Sequence, residues 1–217
     1  MAVRSTKSLA EHRAPPGISH NQFGQKLGRK GQATRERLVE SMLAQLVEPD
    51  GPPITLALVA NAAGVKPANL YRYFPDLGRL LLAALDRVMG MAKDAFVAQL
   101  RTHWPDAELE RHCRTFLDSH LAFWRRHARI LHMRNALADA GDISVQRYRS
   151  EETRPLIDLL AGQMEWRDEA GRMACIHTAS VLLTALERSA TVMTSRHWSP
   201  HPAIMEVTER ERYISGV

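Results

Sequence analysis

Apolar residues recur at three- and four-residue intervals along most of the chain, the spacing of one buried helix face. From Thr34, whose hydroxyl suits the capping of free amides, Leu38, Met42, Leu43 and Leu46 make a first stripe that Glu48-Pro49-Asp50-Gly51 ends. After Pro52-Pro53 a short second helix is expected, capped by Thr55, with Leu56, Val59, Ala60 and Ala63 on one inward face and Gly64 as its stop. Pro67 suits the first position of a third helix, because its missing N–H would be unpaired there anyway. Leu70 and Phe74 then face inward, and Pro75 closes that helix.

Beyond this point the windows lengthen. Leu80, Leu81, Ala84, Leu85, Val88, Met91, Ala92, Ala95 and Phe96 define a long helix that packs on what precedes and follows it. Asp106–Arg126 and Ala128–Ala140 read as two helices broken near His127, and Ile143–Met164 and Glu169–Ser195 as two more. Pro155 is expected to start or kink a helix. No run of alternating β-branched residues lies between hairpin turns, so the fold class is all-α.

Charge changes the picture at one end. The 217 residues carry a formal +5, and Arg4, Lys7, Arg13, Lys26, Arg29 and Lys30 against Glu11 account for all of it within residues 1–33. That segment is rich in Gly and Pro and poor in large apolar groups, so it is read as a flexible basic arm suited to polyanions. Lys26, Arg29 and Lys30 are its candidates for lying along a minor groove. Two cysteines, Cys113 and Cys175, without a CxxC spacing fit a reducing compartment, although one Cys113–Cys175 pairing stays open. No apolar run reaches the roughly 20 residues of a membrane span, and the first thirty residues do not look like a secretory signal. The expected location is cytoplasmic, with no membrane partner.

The chemistry concentrates in the two short helices. Joined by a Gly-containing turn, they form a helix-turn-helix whose second helix can enter a DNA major groove. With Leu70 and Phe74 inward, Ala68, Asn69, Arg72 and Tyr73 point outward. Arg can donate two hydrogen bonds to guanine, Asn can pair with adenine, and a small Ala permits close approach. Thr55 and Lys66, at or near helix starts, and Tyr71 and Tyr73 suit phosphate oxygens.

Residues 34–42, T-R-E-R-L-V-E-S-M, and residues 54–81, I-T-L-A-L-V-A-N-A-A-G-V-K-P-A-N-L-Y-R-Y-F-P-D-L-G-R-L-L, resemble the DNA-binding module of the tetracycline-repressor (TetR) family of bacterial regulators. The pattern A-x-x-A-G-V-x-x-x-x-L-Y-x-Y-F-x-x-x-x-x-L is far more specific than a generic helix-turn-helix. The resemblance implies a homodimeric repressor on a palindromic operator, released by a small-molecule effector, and adds Pro67 to the module's contact set. It also implies a helical effector-binding and dimerisation domain over 79–199, after a helix-turn-helix domain over 34–78 and before a tail over 200–217. The chain departs from the family at Leu77, where a phosphate-touching Lys is usual, and at Lys66, where a Ser cap is usual. Lys66 and Arg79 offer replacement cations.

For the effector, Phe96, Phe116, His120, Phe123, Met133 and His177 mix aromatic, thioether and imidazole groups in the manner of small-molecule sites. The helix face Ala179, Leu182, Leu183, Leu186, Ala190 and Met193 is the expected dimer seam, placed there by the resemblance. No metal or other cofactor is expected: Cys113, His120 and His127 share a stripe, but seven residues of helix rise about 10.5 Å, too far for one ion. His197 and His201 are assigned surface roles in a loop. No Gly-rich phosphate loop, HExxH or GxSxG is present, so an enzyme has no residues to name. The competing reading is a constitutive or architectural DNA-binding dimer without an effector.

Overall fold

Helix formation begins earlier than the first apolar stripe indicates. In the computed structural model, which describes residues 26–48 and 51–195, helix α1 runs Arg29–Val47. Buried Leu27 anchors the approach, Gly28 O accepts from Gln32 N at 3.0 Å, and Gln32 Nε2 donates to Leu27 O at 3.2 Å. Thr34 is therefore not a cap: it lies within α1, its hydroxyl donating to Lys30 O at 3.0 Å. Residues 29–33 of the expected arm belong to α1 and residues 26–28 lead into it, and the arm's remaining residues lie outside the described ones, as do Pro49, Asp50, His197, His201 and the expected tail.

The chain divides into two units, residues 1–86 and 87–217, with the division inside a long helix. In the first unit α1 is followed by α2 (Leu56–Ala62), α3 (Pro67–Leu70) and the opening of α4 (Leu77–Ala95). Thr55 caps α2, its hydroxyl accepting from Leu58 N at 3.1 Å. Gly64 then turns left-handed at φ +64°, while Val65 N donates to Ala60 O and Gly64 N to Asn61 O. This doubly bonded helix stop needs a residue without a Cβ at Gly64 and seats Val65 inward. Leu38, Val39, Met42, Val59, Ala60, Leu70, Phe74, Leu80, Leu81, Ala84 and Leu85 fill the core with almost no exposure. Arg35 lays its guanidinium 5.0 Å from the Phe74 ring centre. The regular part of α3 stops at Leu70, not at Pro75; the chain continues in tighter turns, with Tyr73 N and Phe74 N both donating to Leu70 O.

The second unit contains the rest of α4, α5 (Leu109–Arg126), α6 (Ala128–Asp139), α7 (Ile143–Ala161) and α8 (Glu169–Met193), with 3-10 turns at Val97–Arg101 and Asp106–Glu108. Asp142 caps α7 through Ser144 N and Val145 N, and Asp168 caps α8 through Gly171 N. Gln163 pins the 3-10 segment, accepting from Trp104 N and donating to Leu100 O, each at 2.9 Å. Pro155 neither starts nor ends a helix; α7 runs through it, and its exposed position leaves the lost backbone bond facing water. Met91 does not join the α4 core, being 46% exposed. Cys113 and Cys175 are free thiols. Among the described residues there is no β-strand, and no helix is long and apolar enough to cross a membrane.

Candidate functional site

The α2–turn–α3 corner exposes the residues the sequence singles out. Pro67, Ala68, Asn69, Tyr71 and Arg72 are exposed, whereas Leu70 between them is fully buried. Lys66 stands exposed at the start of α3. Thr55 is also exposed, with its hydroxyl committed to the cap. Tyr73 departs from the outward set: it is half-buried and forms a wall. The reason is the tightened backbone after Leu70, which turns residue 73 back beside the core position 74.

That wall belongs to a concavity of about 290 Å³ lined by Thr34 and Arg37 of α1, Gly64, Val65 and Lys66 of the turn, and Asn69, Arg72 and Tyr73. Its lining holds the cations of Arg37, Lys66 and Arg72 and no carboxylate. Among the described residues none of these three cations has an ion-pair partner. A polar hollow with unneutralised positive charge attracts a polyanion at long range and can seat phosphate oxygens at short range. Arg37 is the residue that sequence reasoning missed. On its own helix it is one more arginine opposite the Leu38–Met42 stripe, and only the packing of α1 beside the turn brings it to Lys66 and Arg72.

At the N-terminal end of α1, Arg29 and Lys30 are exposed on its first turn and Lys26 is exposed just before it. The first two are therefore held on a helix rather than on a free arm, because Gly28 and Gln32 close the first turn. Asp76 caps α4 by accepting from Arg79 N at 2.7 Å, and the Arg79 side chain is exposed. Leu77, the first residue of α4, is half-buried.

The effector candidates separate. Phe96, Phe116, His120 and Phe123 form one buried cluster. The Phe96 ring centre lies 5.9 Å from Phe116, 5.1 Å from His120 and 5.4 Å from Phe123, all edge-on. Met133 is half-buried on α6. His177 is not part of the cluster, since it is exposed on α8. The inward face of α8 is set by Ala179, Leu183 and Ala190, and at about 100° per residue position 177 points the opposite way from 179. The expected dimer seam divides in the same manner. Ala179, Leu183 and Ala190 are buried inside the unit, while Leu182 and Met193 stay exposed, as do Met173, Val181 and Val192.

The cluster continues into charge. His120 lies 6.3 Å from Trp124, over whose ring Arg134 of α6 is placed at 5.7 Å. Burial first, and the Arg134 charge second, hold the His120 imidazole down at a pKa of about 4. His127 is also held below its usual value, by burial and then by Arg126. Among the described residues no group of His, Cys, Asp and Glu is arranged to hold a metal ion. No protein-family model matches the chain, and no curated protein matches it.

Proposed function

We propose that this chain is a ligand-responsive transcriptional regulator, a TetR-like repressor that binds a palindromic DNA operator as a homodimer. The observation that carries the reading is the cationic hollow beside exposed Asn69 and Arg72, over a corner whose Leu70 and Phe74 are sealed in the core. In this reading Asn69 and Arg72 meet base edges, Ala68 and Pro67 permit close approach, and Lys66, Arg37, Thr55, Tyr71 and Tyr73 hold phosphates. Arg29 and Lys30 add backbone contacts from the start of α1, with Lys26 before them.

Dimerisation is supported by α8. Over positions 173–193 its exposed residues include Met173, Val181, Leu182, Val192 and Met193, and Arg188 is the only charged residue among the exposed ones. Five turns of helix with so little charge fit a self-complementary seam better than a solvated face. Two such subunits present recognition helices to successive major grooves about 34–36 Å apart, and an effector acts by favouring a dimer with the wrong spacing. The reading is tested by fluorescence anisotropy of the purified chain on palindromes from the DNA upstream of its own locus, against scrambled duplexes and over a range of salt. A clear preference for one palindrome is expected. Equal affinity for palindrome and scramble at every salt concentration overturns the reading.

A further inference from the structure

The charged residues of α7 sort by side. Arg149 and Glu152 are half-buried toward the core, Arg149 paired with Asp139 of α6. Arg147, Glu151, Arg154 and Asp158 are all exposed. At about 100° per residue, their spacing of four, three and four keeps them within about 60° of arc, on the side opposite buried Val145, Leu156 and Leu160. Among the described residues Arg147, Glu151 and Arg154 form no ion pair, and Asp158 meets the more distant charge of Arg172, which is itself bound to Glu169. The order of the charges explains why the helix does not pair them itself. Arg147 precedes Glu151 and Arg154 precedes Asp158, whereas the more stabilising order at four residues places the carboxylate first.

We infer that this stripe pairs with the same stripe of a second copy of the chain, antiparallel, about the midpoint between residues 152 and 153. The succession of signs carries the argument. Along the stripe it runs plus, minus, plus, minus, and turning a second copy end for end sets opposite signs together at every position. Arg147 then faces the partner's Asp158, and Glu151 faces the partner's Arg154. Two-fold symmetry repeats both contacts, so each charge of both stripes gains an opposite neighbour. A parallel pairing in register opposes like with like throughout. The same midpoint sets Ile143, 70% exposed at the start of α7, against the partner's Gly162, which has no side chain to obstruct it. A foreign protein would need the complementary spacing on its own surface; a second copy has it by construction. Exposed ion pairs add little affinity, but a row of them fixes orientation and rejects wrong partners. Apolar residues such as Val181 and Leu182 of α8 supply attraction without register. The inference rests on the homodimer proposed above and names the residues that set its orientation and its fidelity.

The test compares the full chain with two double variants by sedimentation equilibrium, one with Arg147→Glu and Arg154→Glu, the other with Glu151→Arg and Asp158→Arg. The first makes the stripe wholly negative and the second wholly positive. At low salt each alone is expected to dimerise about ten-fold more weakly than the wild type, and the mixture of the two, one of them fluorescently labelled, to regain wild-type affinity as a heterodimer. In about 1 M salt, where screening acts within about 3 Å, the differences should disappear. The quadruple exchange, all four substitutions in one chain, inverts every sign and restores the alternation, so it is expected to dimerise as the wild type does. It also keeps the test decisive should one double variant fold poorly. Double variants as tight as the wild type, a mixture with no preference for the heterodimer, or a quadruple variant as weak as the doubles overturns the inference. A dimer indifferent to all these charges sinks the α7 pairing alone, whereas a wild-type chain that stays monomeric at every concentration sinks the homodimer with it.

Discussion

Replacing His120 with phenylalanine keeps a ring inside the aromatic cluster and removes its only titratable site. In the folded protein the imidazole is 4% exposed and held at a pKa of about 4, chiefly by burial and then by the neighbouring Arg134 charge. In the unfolded chain it returns to 6.5, the ordinary value. Between these limits the unfolded state binds a proton that the folded state refuses. The associated stability is fully present above pH 6.5 and is lost as the pH falls toward 4. Displacing a pKa that far corresponds to about 3 kcal/mol, a large share of the roughly 5–15 kcal/mol that holds an ordinary domain together. His120→Phe carries its own repacking cost, but that cost does not depend on pH, so the slope is the readout rather than the offset. Urea unfolding followed by tryptophan fluorescence at pH steps from 7.5 down to 4 gives the difference between variant and wild type at each step. Contributions from His127 and from the surface carboxylates are common to both proteins and cancel. The difference is expected to move by about 3 kcal/mol in favour of the variant. Parallel stability curves would refute the claim that this imidazole is folded away uncharged.

Arg72→Ala is expected to cost about 1–3 kcal/mol of operator affinity and to relax preference at one base pair, read by anisotropy on single-substituted duplexes. Lys66→Ala and Arg37→Ala should weaken specific and scrambled DNA alike, each lowering the logarithmic salt slope by about one, the signature of a lost phosphate contact. Thr55→Ala removes the bond to Leu58 N and should destabilise the first unit by about 0.5–2 kcal/mol in urea unfolding, with the helix content of the folded state unchanged. The double variant Val181→Asp with Leu182→Asp places charge on the exposed face of α8 and should convert a dimer to a monomer in sedimentation without loss of helix. A wild-type chain that sediments as a monomer would remove the proposed seam.

The fold was legible wherever one apolar stripe met one punctuation signal. Gly64 and Pro67 bracket the turn, and the three-four spacing of Val59, Ala60, Leu70 and Phe74 identifies the core positions that leave Asn69 and Arg72 outside. What the sequence concealed is of another kind. The start of α1 depends on Leu27 finding a buried seat, a tertiary event that no local cap announces. The α8 stripe looked like one face because Leu182 and Leu183 are equally apolar, yet neighbours in a helix differ by about 100°, and only packing decides which of them is sealed.

The candidate sites show the same limit more sharply. Arg37 and Arg134 are ordinary arginines in the sequence: the first sits unremarked within the 34–42 run, and the second follows Met133 with nothing to set it apart. One becomes part of a cationic hollow because α1 packs beside the Gly64 turn, and the other becomes a buried charge because α6 places it against Trp124 and Glu187. A pattern of apolar positions predicts which residues leave water, so it finds Phe96, Phe116 and Phe123 without difficulty. It gives no warning when a guanidinium goes in with them, because desolvating that group is unfavourable and becomes tolerable through partners that include Glu187, distant in sequence, as well as Asn135 and Trp124. Buried polar residues are therefore where sequence reasoning fails most, because their partners are set by packing that no local pattern records.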